Sequence, residues 1–257
     1  IVQSSKSLYN FDPGTVDAPS DSSIIDNKYL LKLDWNVNRD HRMTFRYNMN
    51  EGERPVYQGF GQFSNTSFSN HWYSQVLQNT NFAGEVFSNW TEDLSTEVKI
   101  AYGQYEASRD NNSDLPQVQI GNIDNGFYFN PDGTPTGIGG IAERGSVYFG
   151  RPSSGHSNEL TVDTLEIHTK AVYLLRDHTI KVGFQLEEVA NNNLFIPNSR
   201  GTWRFDSITQ YEQGVPANYF LSRPIAGSTG ASDWSIQNLG IYLQDEWKVT
   251  DRLTVTP

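Results

Sequence analysis

Period-two alternation in long uninterrupted runs constrains this 257-residue chain more than any other feature. Tyr29, Leu31, Leu33, Trp35 and Val37 share one parity, and Lys32, Asp34, Asn36 and Asn38 share the other. The pattern restarts after Arg39-Asp40 with Met43, Phe45, Tyr47 and Met49 against Arg42, Thr44, Arg46 and Asn48. Two alternating runs joined by so short a charged segment predict a β-hairpin. The same figure recurs about Thr91-Glu92-Asp93, Arg176-Asp177 and Thr250-Asp251-Arg252. Its flanks are Phe82, Gly84, Val86 and Trp90, then Leu94, Val98, Ile100 and Tyr102. Next come Leu165, Ile167 and Tyr173, then Ile180, Val182, Phe184 and Leu186. The last is Leu239, Ile241, Leu243 and Trp247, followed by Leu253 and Val255. About eight strands in four hairpins are expected.

The connections between hairpins are long and polar, spanning residues 53–75, 110–157 and 191–235. Short turns therefore alternate strictly with long loops. Several runs continue for about 12 residues, against about 5–6 in globular strands and about 9–11 for a tilted strand crossing a bilayer. A membrane barrel has short turns at one end and long loops at the other. Hydrophobic residues make up 36% of the chain and aromatics 13%, which suits a wall whose alternate residues meet lipid and a wet interior. The expected fold is all-β: an antiparallel transmembrane β-barrel, partial, with about eight strands of a larger barrel. The chain starts at Ile1 and stops just past the Leu253–Val255 run, so an excerpt of a longer wall is expected.

Trp35, Trp90, Tyr173 and Trp247 each precede a tight turn and share the parity of their strand's apolar set. They are expected to form one membrane-interface girdle at one height. Aromatics capping one end of a soluble core are the competing interpretation.

Other chemistry is sparse. The chain has no cysteine, which excludes disulfides and thiolate ligands. Its net charge of −11 and lack of a basic patch argue against nucleic-acid binding. The five histidines, His41, His71, His156, His168 and His178, show no metal-site spacing and are expected at turns or rims. Asp110, Asn112 and Asp114 resemble the start of a calcium loop, but Leu115 stands where glycine is needed. No nucleophile elbow or phosphate loop occurs, so no catalytic, cofactor or metal residue is expected and the chain is expected not to be an enzyme. Tyr57, Phe60, Trp72, Phe127, Tyr128 and Trp203 lie in or beside the long loops among Asn, Gln and Gly. They are the ligand-binding candidates, for a small and partly apolar ligand; mutual packing is the alternative.

The segment Leu239–Thr254, with its Gln-Asp-Glu-Trp ending, short turn and Leu-Thr restart, resembles a recurrent hairpin of TonB-dependent outer-membrane transporters. Tyr29–Tyr47 resembles another. The closer resemblance is to the Oar-like subset, which carries an N-terminal carboxypeptidase-regulatory-like domain. The resemblance implies that residues 1–257 are a fragment of the receptor barrel domain, without the plug domain and the TonB box. It implies an outer-membrane receptor whose external loops capture a scarce nutrient: a siderophore, cobalamin, glycan or peptide. TonB would energise its import. The implied partners are outer-membrane lipid, the TonB complex through parts outside this chain, and a small-molecule or peptide ligand. A passive porin-like barrel and a soluble carbohydrate-binding or adhesive β-protein stay open as alternatives. A hydrolase built on a barrel is a third, for which no converging Ser/His/Asp set is found.

Overall fold

The structure, a computed structural model, describes residues 1–20, 22–57, 65–123 and 145–257. Eight strands form one antiparallel sheet: β1 (Ile25–Asn36), β2 (His41–Val56), β4 (Tyr73–Asn89), β5 (Leu94–Asn111), β8 (Asn158–Leu175), β9 (His178–Phe195), β12 (Ala231–Thr250) and β13 (Leu253–Val255). They lie side by side in that order, so every hairpin partner is also a spatial neighbour. The sheet is open, with β1 and β13 at its edges. Four tight turns close one end, and the β2–β4, β5–β8 and β9–β12 connections leave the other.

Strands of this length hold because pairing is unbroken for 16 residue pairs between β2 and β4 and 17 between β4 and β5. Side-chain parity is preserved with it, so the apolar sets of neighbouring strands fall on one face. Across the sheet, Trp35 leads through Met43, Val86, Val98, Thr169 and Phe184 to Ile241. The opposite face pairs Asp34, Thr44, Glu85, Lys99, His168, Gln185 and Gly240 in the same way.

The row and the turns do not run parallel. Tyr173 lies four residues nearer its turn than Thr169 after four strand steps, and Trp247 six residues nearer than Ile241 after six. A drift of one residue per strand, at ~3.3 Å per residue and ~4.8 Å between strands, corresponds to a tilt of about 35°. Membrane barrels tilt by about 35–45°. The apolar tracts Leu165–Tyr173 and Leu239–Trp247 then each span about 22 Å along the barrel axis, close to the ~25 Å apolar band of an outer-membrane barrel.

The long connections are shorter than their polarity predicts, and their described residues form further elements. The strands run on to Val56, Asn111 and Phe195 and restart at Tyr73, Asn158 and Ala231. Asn, Gln and Ser continue these ladders because backbone pairing carries them. The connections contribute β3 (Asn65–Ser67), β6 (Gln117–Ile123), β7 (Gly145–Phe149), β10 (Thr202–Phe205) and β11 (Asn218–Phe220), which form a second sheet in the order β11-β10-β6-β7-β3. Two helices join it, α1 (Val2–Tyr9) and α2 (Ile208–Gln213), neither of them expected from the hydrophobic periodicity.

This second unit holds the buried core: Phe68, Ile120, Val147, Phe149, Phe205 and Tyr211, with Val2 and Phe11 packed against it. Helix α1 is fixed by a 2.8 Å hydrogen bond between the Ser5 and Tyr211 hydroxyls and by Ser4 donating to Glu212. Helix α2 is capped at both ends. Ser207 Oγ accepts from the Gln210 backbone N–H, and Gly214 ends the helix at φ 67°. The sheet of eight has no such core. Leu31, Leu33, Phe45, Ile100, Ile241 and Leu243 are among its exposed apolar residues, as a surface made for lipid requires.

Candidate functional site

Three surfaces meet in this molecule: the apolar face, the polar face and the cap at the loop end.

On the apolar face, the four aromatics of the expected girdle all lie near the tight turns, with exposures of 62% for Trp35, 60% for Trp90 and 43% for Tyr173 and Trp247. Tyr173 and Trp247 follow the tilt, and Trp90 sits about two residues closer to its turn. Two neighbours repeat. His41 and His178, each following Arg-Asp, rest against Trp90 at 5.2 Å and Trp247 at 5.5 Å. Each of the first three turns also binds the next hairpin through one aspartate carbonyl. Asp40, Asp93 and Asp177 accept from the backbone N–H of Asn89, Leu174 and Lys248, each at 2.8 Å. Asp245 shares the apolar parity but lies between Leu243 and Trp247, not beyond the aromatic level. Its partner there is His178, at 2.7 Å. Glu188 lies beyond Leu186 on the loop side, outside the apolar tract, near Gln237.

A continuous apolar face with no protein to cover it needs lipid, and its tilt and height are those of a bilayer-spanning wall. Comparison with known families agrees: residues 8–256 match the family described as outer membrane beta barrel domain. The chain belongs to that family. No curated protein matches the chain. The outer-membrane β-barrel domain places it in the outer membrane of Gram-negative bacteria. The soluble alternative is thereby overturned. Its short turns then face the periplasm and its cap the exterior.

The polar face of the barrel domain accordingly lines the interior, where it divides into two zones. Nearer the turns several of its charges are paired, some across strands and some along one strand. Lys170 donates to Glu97 at 2.6 Å, Lys181 meets Glu246 at 3.3 Å, Lys99 and His168 approach Glu166 at 3.7 and 3.6 Å, and Lys32 pairs with Asp34 at 2.8 Å. Tyr242 lies flat across Gly183, where a Cβ would be 2.2 Å from its ring. Nearer the cap, two successive rows from β2 to β12 carry no charge. One runs from Asn48 through Asn81, Gly103, Thr164 and Val189 to Ile236. The other runs from Asn50 through Asn79, Tyr105, Val162 and Asn191 to Trp234.

The loop candidates separate on inspection. Trp72 is 4% exposed, and its Nε1 donates to Ser67 Oγ at 2.9 Å, so the indole packs the cap and offers no face to a ligand. Tyr57 stands edge-on to it at 5.0 Å. Trp203 is 37% exposed and lies against Tyr219 with centroids 4.1 Å apart, at the open β11 edge of the cap sheet. The structure brings together Tyr57 with Trp72 and leaves Trp203 apart, on β10. Phe60, Phe127 and Tyr128 lie outside the described residues.

Two histidines expected at turns or rims are buried in the cap instead. His71 is 2% exposed and its Nδ1 donates to the Gly150 carbonyl at 2.7 Å. Burial pushes its pKa down to about 4, against a partial upward pull from that hydrogen bond; nearby His156 lowers it further. His156, 3% exposed, donates from Nε2 to the Arg151 carbonyl and accepts at Nδ1 from the Arg200 backbone N–H. Its pKa is lowered by burial as well. Arg151 and Arg200 share Asp114 at 3.1 and 3.3 Å. Among the described residues no group of three or more acidic or histidine side chains is placed to hold a metal ion.

Proposed function

We propose that this barrel domain is the wall of an outer-membrane receptor that captures a scarce nutrient at its outer end and imports it with energy from TonB. The observation that carries the reading is the cap. Three long connections and the N-terminal segment converge on one unit with its own buried core, where an open pore needs only loops that leave its mouth clear. A unit with its own core over the mouth suits selective capture. The hairpin at Leu239–Thr254 supports the TonB-dependent assignment by resemblance. The proposed partners are membrane lipid at the apolar face, a small-molecule or peptide ligand at the cap and interior, and the TonB complex through a plug and TonB box outside this chain. The proposed role is transport without a catalytic step. Both sheet edges expose backbone groups that lipid cannot satisfy, so the working barrel joins β1 and the β12–β13 edge to further strands.

The test is solute uptake by cells carrying the full-length protein, with and without a collapsed proton gradient. Uptake that stops on collapse supports the reading. Uptake that follows the concentration gradient alone supports a passive barrel.

A further inference from the structure

We propose that the uncharged zone of the interior, just beneath the cap, is a binding belt for a neutral oligosaccharide. This rests on the polar face being the interior of a transporter and names the class of its cargo. Asn50, Asn79, Tyr105, Val162, Asn191 and Trp234 occupy one continuous cross-strand row. Three of the six are amides. Each amide offers donors and an acceptor together, which is what a run of hydroxyl groups needs, since every hydroxyl both gives and takes a hydrogen bond.

Two are large rings set three strands apart, about 14 Å. Among the described residues neither Tyr105 nor Trp234 makes a ring stack or a side-chain hydrogen bond, and Trp234 is 48% exposed. The exposed Trp234 ring and the half-buried Tyr105 ring therefore present surface to the interior, and the C–H face of a sugar packs on such surface while its hydroxyls meet Asn191 between the rings and Asn79 and Asn50 beyond Tyr105. A groove of about 440 Å³ lies on the wall at the β1–β5 side of the belt, with Asn50, Gln75, Asn79 and Tyr105 in its lining together with the charged Asp26, Glu53 and Arg54. That volume is within the range of small-ligand sites.

Charge selects the class. From β2 to β12 this row and its neighbour carry none, and Lys28, at the β1 end, is held by Asp26 at 2.6 Å. A carboxylate, phosphate or ammonium group centred on these two rows would lose water without gaining a counter-charge from them. In the charged zone below, Lys170, Lys181, Lys99 and Lys32 are already paired. A neutral, hydroxyl-rich chain incurs no such cost.

The test uses the full-length protein in detergent, with its folded barrel verified by heat-modifiable gel migration, on an array of immobilised neutral and acidic oligosaccharides. Retention of neutral sugars is expected, falling about tenfold in Trp234→Ala and in Tyr105→Ala and preserved in Tyr105→Phe. Retention of acidic sugars only, of no sugar, or of neutral sugars equally by both alanine variants overturns the belt. Uptake separates this from the reading beneath it. A protein that imports some other solute while retaining no neutral sugar keeps transport and loses the belt. One that retains neutral sugars through Trp234 and Tyr105 without importing them keeps the belt and loses transport.

Discussion

His178 Nδ1 donates to Asp245 Oδ2 across 2.7 Å on the apolar face of the barrel wall, with the imidazole lying nearly parallel to Trp247 at 10°. The second carboxylate oxygen of Asp245 is buried without a partner among the described residues. A carboxylate on a lipid-facing strand is costly, and the histidine is what makes it tolerable there. His178→Ala should therefore destabilise the barrel by about 1–3 kcal/mol, because it strands the acid. Asp245→Leu should be neutral or stabilising, and the double variant should recover most of the loss. Urea unfolding in lipid vesicles measures all three; additive losses would contradict the pairing.

The two faces predict opposite tolerance to charge. Ile241 lies in mid-tract on the apolar face, 76% exposed to whatever surrounds the wall. Ile241→Lys should cost about 2–4 kcal/mol of barrel stability in a bilayer. Gln244→Lys, on the interior face of the same strand, should cost little, and so should Lys99→Gln. Trp247→Lys should fall between them, since charge is cheaper near the interface. The measurement is the folded fraction after refolding into vesicles.

The cap should loosen in acid. The folded pKa of His71 lies below its ordinary value of 6.5, at about 4, so between those values the unfolded cap binds a proton that the folded cap excludes. Stability is complete above about pH 6.5 and falls as pH drops toward about 4, by up to ~3 kcal/mol. His156, lowered by burial as well, adds in the same direction. Hydrogen exchange of the β7 amides against pH reads this out. His71→Asn, which still offers a donor to Gly150, should flatten the profile.

The cap has its own core, so it should fail on its own. Phe149 is 1% exposed and meets Phe11, Phe68 and Tyr211. Phe149→Ala should cost the cap about 3–5 kcal/mol. Proteolysis should then cut residues 145–157 sooner, while heat-modifiable migration of the barrel is retained.

The barrel wall was legible because lipid imposes parity on every strand. Leu239, Ile241 and Leu243 display it without interruption, and the turn at Arg176-Asp177 marks where it reverses. The cap was not. Its strands are as short as Asn65–Ser67 and Asn218–Phe220, too brief to show a period, and its sheet is assembled from three distant connections. Ser207, Gln210 and Gly214 did carry a helix signal, a cap at each end of α2, in a stretch too short for periodicity to flag. The polar loops concealed His71, His156 and Trp72 as buried residues because their partners are backbone carbonyls and a serine hydroxyl. Among the site candidates, parity placed Trp35, Trp90, Tyr173 and Trp247 on one face, whereas loop membership could not distinguish the packed Trp72 from the half-exposed Trp203. The interior row ending at Tyr105 and Trp234 emerges only from cross-strand register.

The absence of cysteine makes the most direct test clean: single cysteines placed one at a time along β12, at residues 238, 239, 241, 243 and 244, in the full-length protein in outer-membrane vesicles. A bilayer-restricted maleimide and a small water-soluble one are compared at each. The account predicts that 239, 241 and 243 react from lipid and 238 and 244 from water. Uniform aqueous labelling, or the reverse assignment of the two sets, would contradict a barrel wall with this face turned to the membrane.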